Sequence, residues 1–525
     1  MTTTTLPQRR LPNPSRTIAV VMCLVTAAAC GLALAMTGSL LPLILLVGAG
    51  LGLGLLARPE VGTLTFLALL WVNAPGVAAR YHGFPDVLVN TVVLLLFVPV
   101  AGYLLSRRSL VVTPALFAIL FFLVGNLVSA AMSQDPAAGW GRILSFLSEG
   151  LLVYLLVTNA IRTPATMRAA TLVLVLAAVF MAGLSVHQEL TGAYRDPYLG
   201  FSQTTRQEDA AYLQPDADSR PRMMGPIGEQ NRYAQILLVV LPLALFGLNL
   251  RGKRWRRIAA IGAGVMIVAG VLLTFSRGAA VALALLLVAM VIWKHVRLKH
   301  LLAVACAFLV TMLLIAPEFV TRLDTIRAAS SLVTGESDDE SPDNAILGRT
   351  TSNLAALLVF VDHPIFGVGP NLYAARYSQD YGNELGLRHL GTSRRAHNMY
   401  LEWAAELGIV GLAAGVGALV VTIVQLRALR RYWRWRQPAY SNMAGAYALA
   451  LVAYMGTAVF LHLSYERYFF TLLAIANAVI WILSRERAIL ESHVGGASTN
   501  KNAPTAKPSR WLHQSAPDRA RTIIG

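Results

Sequence analysis

His397, within Arg394-Arg395-Ala396-His397-Asn398, is the side chain best suited to move a proton. Imidazole titrates near neutral pH, and a place in the first turn of a helix disfavours the imidazolium, so a neutral, proton-accepting ring is expected. Arg277, in Phe275-Ser276-Arg277-Gly278, and Arg349, after Gly348, suit a different task. A guanidinium keeps its charge and can fork two hydrogen bonds to one phosphate. Arg277 is pinned in a tight turn between apolar runs, a position that equally suits an arginine snorkelling to lipid headgroups. Arg349 sits in a loop with no topological need for it. Glu149 lies inside an apolar run, roughly 12 Å along a helix from its start, and a carboxylate at that depth needs a partner such as Arg277. One more patch, Gly225-Pro226-Ile227-Gly228-Glu229-Gln230-Asn231-Arg232, leads straight into another apolar run. No nucleophile elbow, Walker loop, HExxH or paired metal-ligand cluster occurs, and the acidic run from Glu336 reads as a solvated loop.

These residues need a scaffold, and composition states its kind. The 525 residues are 56% hydrophobic and 14% charged, with a mean hydropathy of +0.58, whereas soluble chains average about a quarter charged residues. A net charge of +17 could suggest nucleic acid, but the basic residues form short clusters between apolar runs, where membrane topology explains them. Cys23, Cys30 and Cys306 all fall inside apolar runs, so no disulfide framework is expected. A helix crossing a bilayer needs about 20 mostly apolar residues. Candidate spans are 17–36, 38–57, 61–75, 86–105, 111–133, 143–161, 166–187, 234–250, 257–275, 278–293, 300–316, 403–425, 443–463 and 467–483. The expected fold is all-α, a polytopic transmembrane helix bundle of about 12–14 spans, with the proline-interrupted 61–75 run open to merging or re-entry. The first run follows Arg9, Arg10 and Arg16 and is expected to be a retained helix.

Short connections set the orientation. Arg107-Arg108, Arg162, Arg168 and the clusters at 251–257, 294–299 and 427–436 share one side if spans alternate, and the positive-inside bias makes that side cytoplasmic. The long loops 188–233 and 317–402 then face outward, together with the patches around Asn231, Arg277, Arg349 and His397. Both termini fall inside, and the basic tail from about Ser484 is expected to be disordered. The chain divides into N-terminal helices (1–187), a region with two outward loops (188–425), C-terminal helices (426–483) and the tail (484–525).

Taken in order, these patches resemble the O-antigen ligase/polymerase superfamily of bacterial membrane glycosyltransferases. His397-Asn398, then nine residues, then Gly408-Ile409-Val410-Gly411 is similar to the ligase signature of a histidine, a small polar residue, a nine-residue gap and Gly-x-x-Gly. Gly225 to Asn231 resembles the family's Gly-rich Asn motif, Thr274 to Gly278 its Ser-Arg-Gly turn, and Pro364-Ile365-Phe366-Gly367-Val368-Gly369 its Pro-x-x-Gly-x-Gly segment. The resemblance covers roughly 200–425. It implies a GT-C-like fold with an outward cavity for a polyprenyl (undecaprenyl) diphosphate-linked glycan, and a lipid, glycan or protein acceptor, within membrane lipid and without nucleic acid. Arg277 and Arg349 would hold the phosphates and His397 would help deprotonate the acceptor hydroxyl. Asn398, Ser276, Asn231, Arg232, Glu229, Glu149 and Arg395 would contact substrate, and the family implies neither metal nor other cofactor. The extra spans and basic tail depart from the family, and the arginine-x-ten-glycine repeats of the polymerase branch are missing, which leans toward ligase. A transporter or flippase for a lipid-linked sugar is the competing class, but transporters place polar breaks near the bilayer midplane, whereas here they gather at one surface.

Overall fold

The computed structural model describes residues 60–85, 92–105, 109–205, 221–248, 254–297, 299, 344–386, 394–461 and 466–499. The expected spans 17–36, 38–57 and 300–316 and the acidic run from Glu336 lie outside them. The described chain is an all-α polytopic bundle, and six of its helices are long and apolar enough to cross a membrane. In chain order the helices are α1 (Glu60–Trp71), α2 (Ala74–His82), α3 (Phe97–Leu105), α4 (Pro114–Met132), α5 (Trp140–Ala160), α6 (Pro164–Thr191), α7 (Gln230–Pro242) and α8 (Arg254–Leu272). They continue with α9 (Arg277–Ile292), α10 (Asn344–Asp362), α11 (Ser378–Glu384), α12 (Met399–Arg436), α13 (Pro438–Ala458) and α14 (Glu466–Thr499).

Local sequence explains the breaks that matter. The 61–75 run becomes α1 and α2, bent by 55°, because Pro75 stands in the first turn of α2 and Asn73 adopts a left-handed φ of 53°. A π turn over Phe146–Leu151 interrupts α5 at Glu149. α13 is buried nearly all round, with Ala444, Ala446, Tyr447, Ala448, Leu449 and Ala450 each at 0% exposure. A helix of such small residues lets its neighbours close in, and α7, α9, α12 and α14 pack around it.

Three expectations change. The outward loop 317–402 contains the 19-residue helix α10, whose Thr351, Ser352, Ala355, Ala356 and Val359 are buried at helical spacing. The loop 188–233 contains a two-stranded antiparallel pair, Gln203–Thr204 with Met223–Gly225. Finally, helix continues past Ser484 to Thr499, where a tail was expected. Good helix formers carry it on, with an i,i+4 ion pair between Arg487 and Glu491 at 2.9 Å. Residues 500–525 lie outside the described set.

One end of the bundle gathers every candidate residue. The end of α8 meets the strand pair, Met223 N donating to Leu273 O at 3.0 Å. The starts of α7 and α9 are joined through Asn231 and Ser276. Tyr400, in the first turn of α12, donates to Met455 O near the end of α13, and Arg142 in α5 pairs with Glu466 at the start of α14.

Candidate functional site

The nine-residue gap after Asn398 is a short helix with a break built at its end. Asn398 is the N-cap of α12, its side chain accepting from Tyr400 N and Leu401 N. Gly408 ends this first piece with φ 64°, ψ −163°. A Cβ at Gly408 would overlap the Ile365 carbonyl, and one at Gly367 (φ 69°) would overlap the Glu406 backbone. Only glycine tolerates both the backbone angle and the contact. The segment 364–369 satisfies the backbone groups freed by the break. Val368 N donates to Ala405 O and Gly369 N to Glu406 O, both at 3.0 Å, while Ile409 N donates to Pro364 O at 2.8 Å. The two glycine motifs, distant in sequence, are thus halves of one joint.

His397 precedes the N-cap, outside the first turn where the sequence placed it, and holds a left-handed φ of 51°. The helix terminus is therefore not what keeps it neutral. Burial pushes its pKa down to about 4, helped by Arg349 and then by Arg394 and Arg395, with Glu402 opposing. Arg349 lies on α10, so that helix brings the expected phosphate-binding arginine and the expected base together.

Beneath them runs an ionic network. Glu402 and Glu406 stand one turn apart on the short helix, 2% and 4% exposed. Arg395 is bonded to Glu402, and although burial works against its charge, Glu402 and Glu406 outweigh that and hold it protonated. Glu466 pairs with Arg142 at 3.0 Å. Glu149 pairs with Arg467 at 3.4 Å rather than with the expected Arg277, because α5 and α14 pack side by side. Sequence reasoning missed Glu402, Glu406, Glu466, Arg142 and Arg467. Their signal was present, since carboxylates at i and i+4 entering an apolar span demand partners.

The second patch is organised by caps. Glu229 caps α7, accepting from Asn231 N at 3.1 Å and Arg232 N at 3.0 Å. Ser276 caps α9 through Ala279 N and donates to Asn231 Oδ1 at 2.7 Å. Arg277 is the first residue of that helix, half-buried at its N-terminus. Arg232 is 2% exposed and donates to Gln235 Oε1 at 2.9 Å. Gln235 in turn donates to Thr457 on α13 at 2.8 Å. Glu229, Asn398 and Arg395 therefore spend hydrogen-bonding capacity on local structure. Among the described residues no group of three or more His, Cys, Asp or Glu side chains is placed to hold a metal ion.

No curated protein matches the chain. Residues 262–416, which hold the Ser276-Arg277 turn, α10, the glycine joint and His397, match the family model described as O-antigen ligase. That segment is similar to the O-antigen ligase family, and the long apolar helices around it are those of a multi-pass membrane protein.

Proposed function

We propose that the protein is a glycosyltransferase of surface polysaccharide assembly, acting at the outward face of the cytoplasmic membrane. It moves a glycan from a polyprenyl (undecaprenyl) diphosphate to a hydroxyl on a lipid, glycan or protein acceptor. The observation that carries this reading is that half-buried His397, whose pKa burial and Arg349 both push down, lies within the matched segment. The acceptor oxygen attacks the anomeric carbon, the bond from that carbon to the phosphate oxygen breaks, and the diphosphate leaves with the electron pair. His397 takes the hydroxyl proton, while Arg349 and Arg277 stabilise the departing charge in place of a metal ion.

A base with a pKa near 4 is weak, and the same geometry supports a remedy. Arg349 is one cause of the depression. A diphosphate seated on that arginine offsets its charge, so the imidazole gains basicity only when donor is bound. Proton abstraction is thereby tied to occupancy.

Gene inactivation followed by electrophoresis of the surface polysaccharide tests the reading. Lipid-linked polymer that accumulates without reaching the surface supports a ligase, and single-unit capping supports a polymerase. Unchanged polysaccharide sinks both.

A further inference from the structure

The opposite end of the bundle holds a cavity that the proposed reaction does not use. It has a volume of about 510 Å³ and is lined by Trp293 and His295, just past α9, and by Arg427, Arg430, Arg431 and Arg434 on α12. These arginines stand at i, i+3, i+4 and i+7, which places all four on one helix face. A topological signal needs positive charge at that end of the helix but does not require a single stripe facing a concavity. Like charges so spaced repel one another.

The contrast with the other end is direct. There Arg142, Arg395 and Arg467 each have a carboxylate partner. Here, among the described residues, no carboxylate lines the cavity and none of the four arginines is ion-paired. Arg427 stacks on Trp293 at 4.7 Å, which orients its guanidinium without neutralising it. Both ring nitrogens of His295 are buried without a hydrogen-bond partner among the described residues, and burial together with Arg430 keeps the ring neutral. Gly445 makes room for this arrangement, since a Cβ there would overlap His295 Nε2 and press on Arg430. Ser441 holds the wall in place by donating to Arg430 O at 2.9 Å.

We propose that this cavity binds a phosphate-bearing anion through Arg427, Arg430, Arg431 and Arg434. The chemistry fits a phospholipid headgroup entering from the adjoining leaflet or a soluble phosphate compound.

The test uses the full-length protein in non-ionic detergent. Phosphatidylglycerol retention is read by native mass spectrometry and inorganic pyrophosphate binding by calorimetry. Arg427→Lys and Arg430→Lys keep the charge that guides insertion but lose the forked donor, and Arg436→Lys outside the cavity is the control. Binding of either ligand should weaken at least about tenfold in the two cavity variants, as expected for loss of one charge-assisted hydrogen bond, and stay unchanged in the control. Variant-sensitive retention of phosphatidylglycerol identifies a headgroup site, and the same sensitivity confined to pyrophosphate identifies a soluble ligand. The proposal is overturned if neither binds, if phosphatidylcholine is retained as strongly, or if the cavity variants bind as the parent does.

Discussion

Ser276 Oγ donates to Asn231 Oδ1 at 2.7 Å while it caps α9 through Ala279 N, so one hydroxyl joins the starts of two helices and fixes where Arg277 emerges. Ser276→Ala removes both the cap and the bond, with an expected stability loss of about 1–2 kcal/mol. Its effect on transfer should exceed that of a neutral surface substitution, because Arg277 loses its anchor. A thermal midpoint and turnover equal to the parent's would show the link to be incidental.

His397→Ala should lower glycan transfer by at least about a hundredfold with donor binding retained, since a positioned general base contributes about 10²–10⁴-fold. His397→Gln keeps a hydrogen bond but takes no proton and should fail nearly as badly. Activity largely restored by glutamine would reduce His397 to an orienting role.

The same ring gives a pH signature. Its pKa is pushed down from 6.5 to about 4 in the fold, so the unfolded chain binds more protons between those values. Its contribution to stability is fully present above pH 6.5, falls as the pH drops through that window, and levels off below about 4. The thermal midpoint of the parent should therefore fall more than that of His397→Gln between pH 7 and about 4.5. Parallel curves for the two proteins would refute this.

Arg277→Lys and Arg349→Lys keep charge but lose the bidentate fork, so each should insert normally and lose most of its transfer activity. Wild-type turnover in both would leave the two arginines as membrane anchors.

Glu466 is buried and Arg142 half-buried, so removing one partner of their pair strands the other, at a cost of up to about 3–5 kcal/mol. Glu466→Leu and Arg142→Leu should each lower the thermal midpoint strongly, whereas the double variant should recover much of the loss. Additive losses in the double-mutant cycle would deny the coupling.

The sequence made the helical membrane bundle legible because apolarity alone decides what can span lipid. The runs at 111–133 and 166–187 correspond to α4 and α6 to within a few residues. The motifs around Asn231, Arg277 and His397 were legible as types and spacing. Their wiring was not. Glu149 joins Arg467 because α5 lies against α14, and no local pattern encodes that neighbour. α10 was hidden because its buried face uses Thr351, Ser352 and Ala355, small residues that hydropathy does not flag. For His397 the helix terminus was the expected cause of neutrality, whereas burial and the arginines around it push its pKa down, which only the folded chain supplies.

The break at Gly408 divides α12 into two mechanical bodies. The upper one carries Asn398, Glu402 and Glu406 and follows directly from His397, while the lower one runs on to Arg436. Segment 364–369 grips both, so it works as a hinge pin: a tilt of α10 would turn the short upper helix and move His397 with it. A molecule that wedged Gly367 away from Gly408 would displace His397 and, through α10, Arg349 with it. That joint is therefore a point of attack apart from His397 itself.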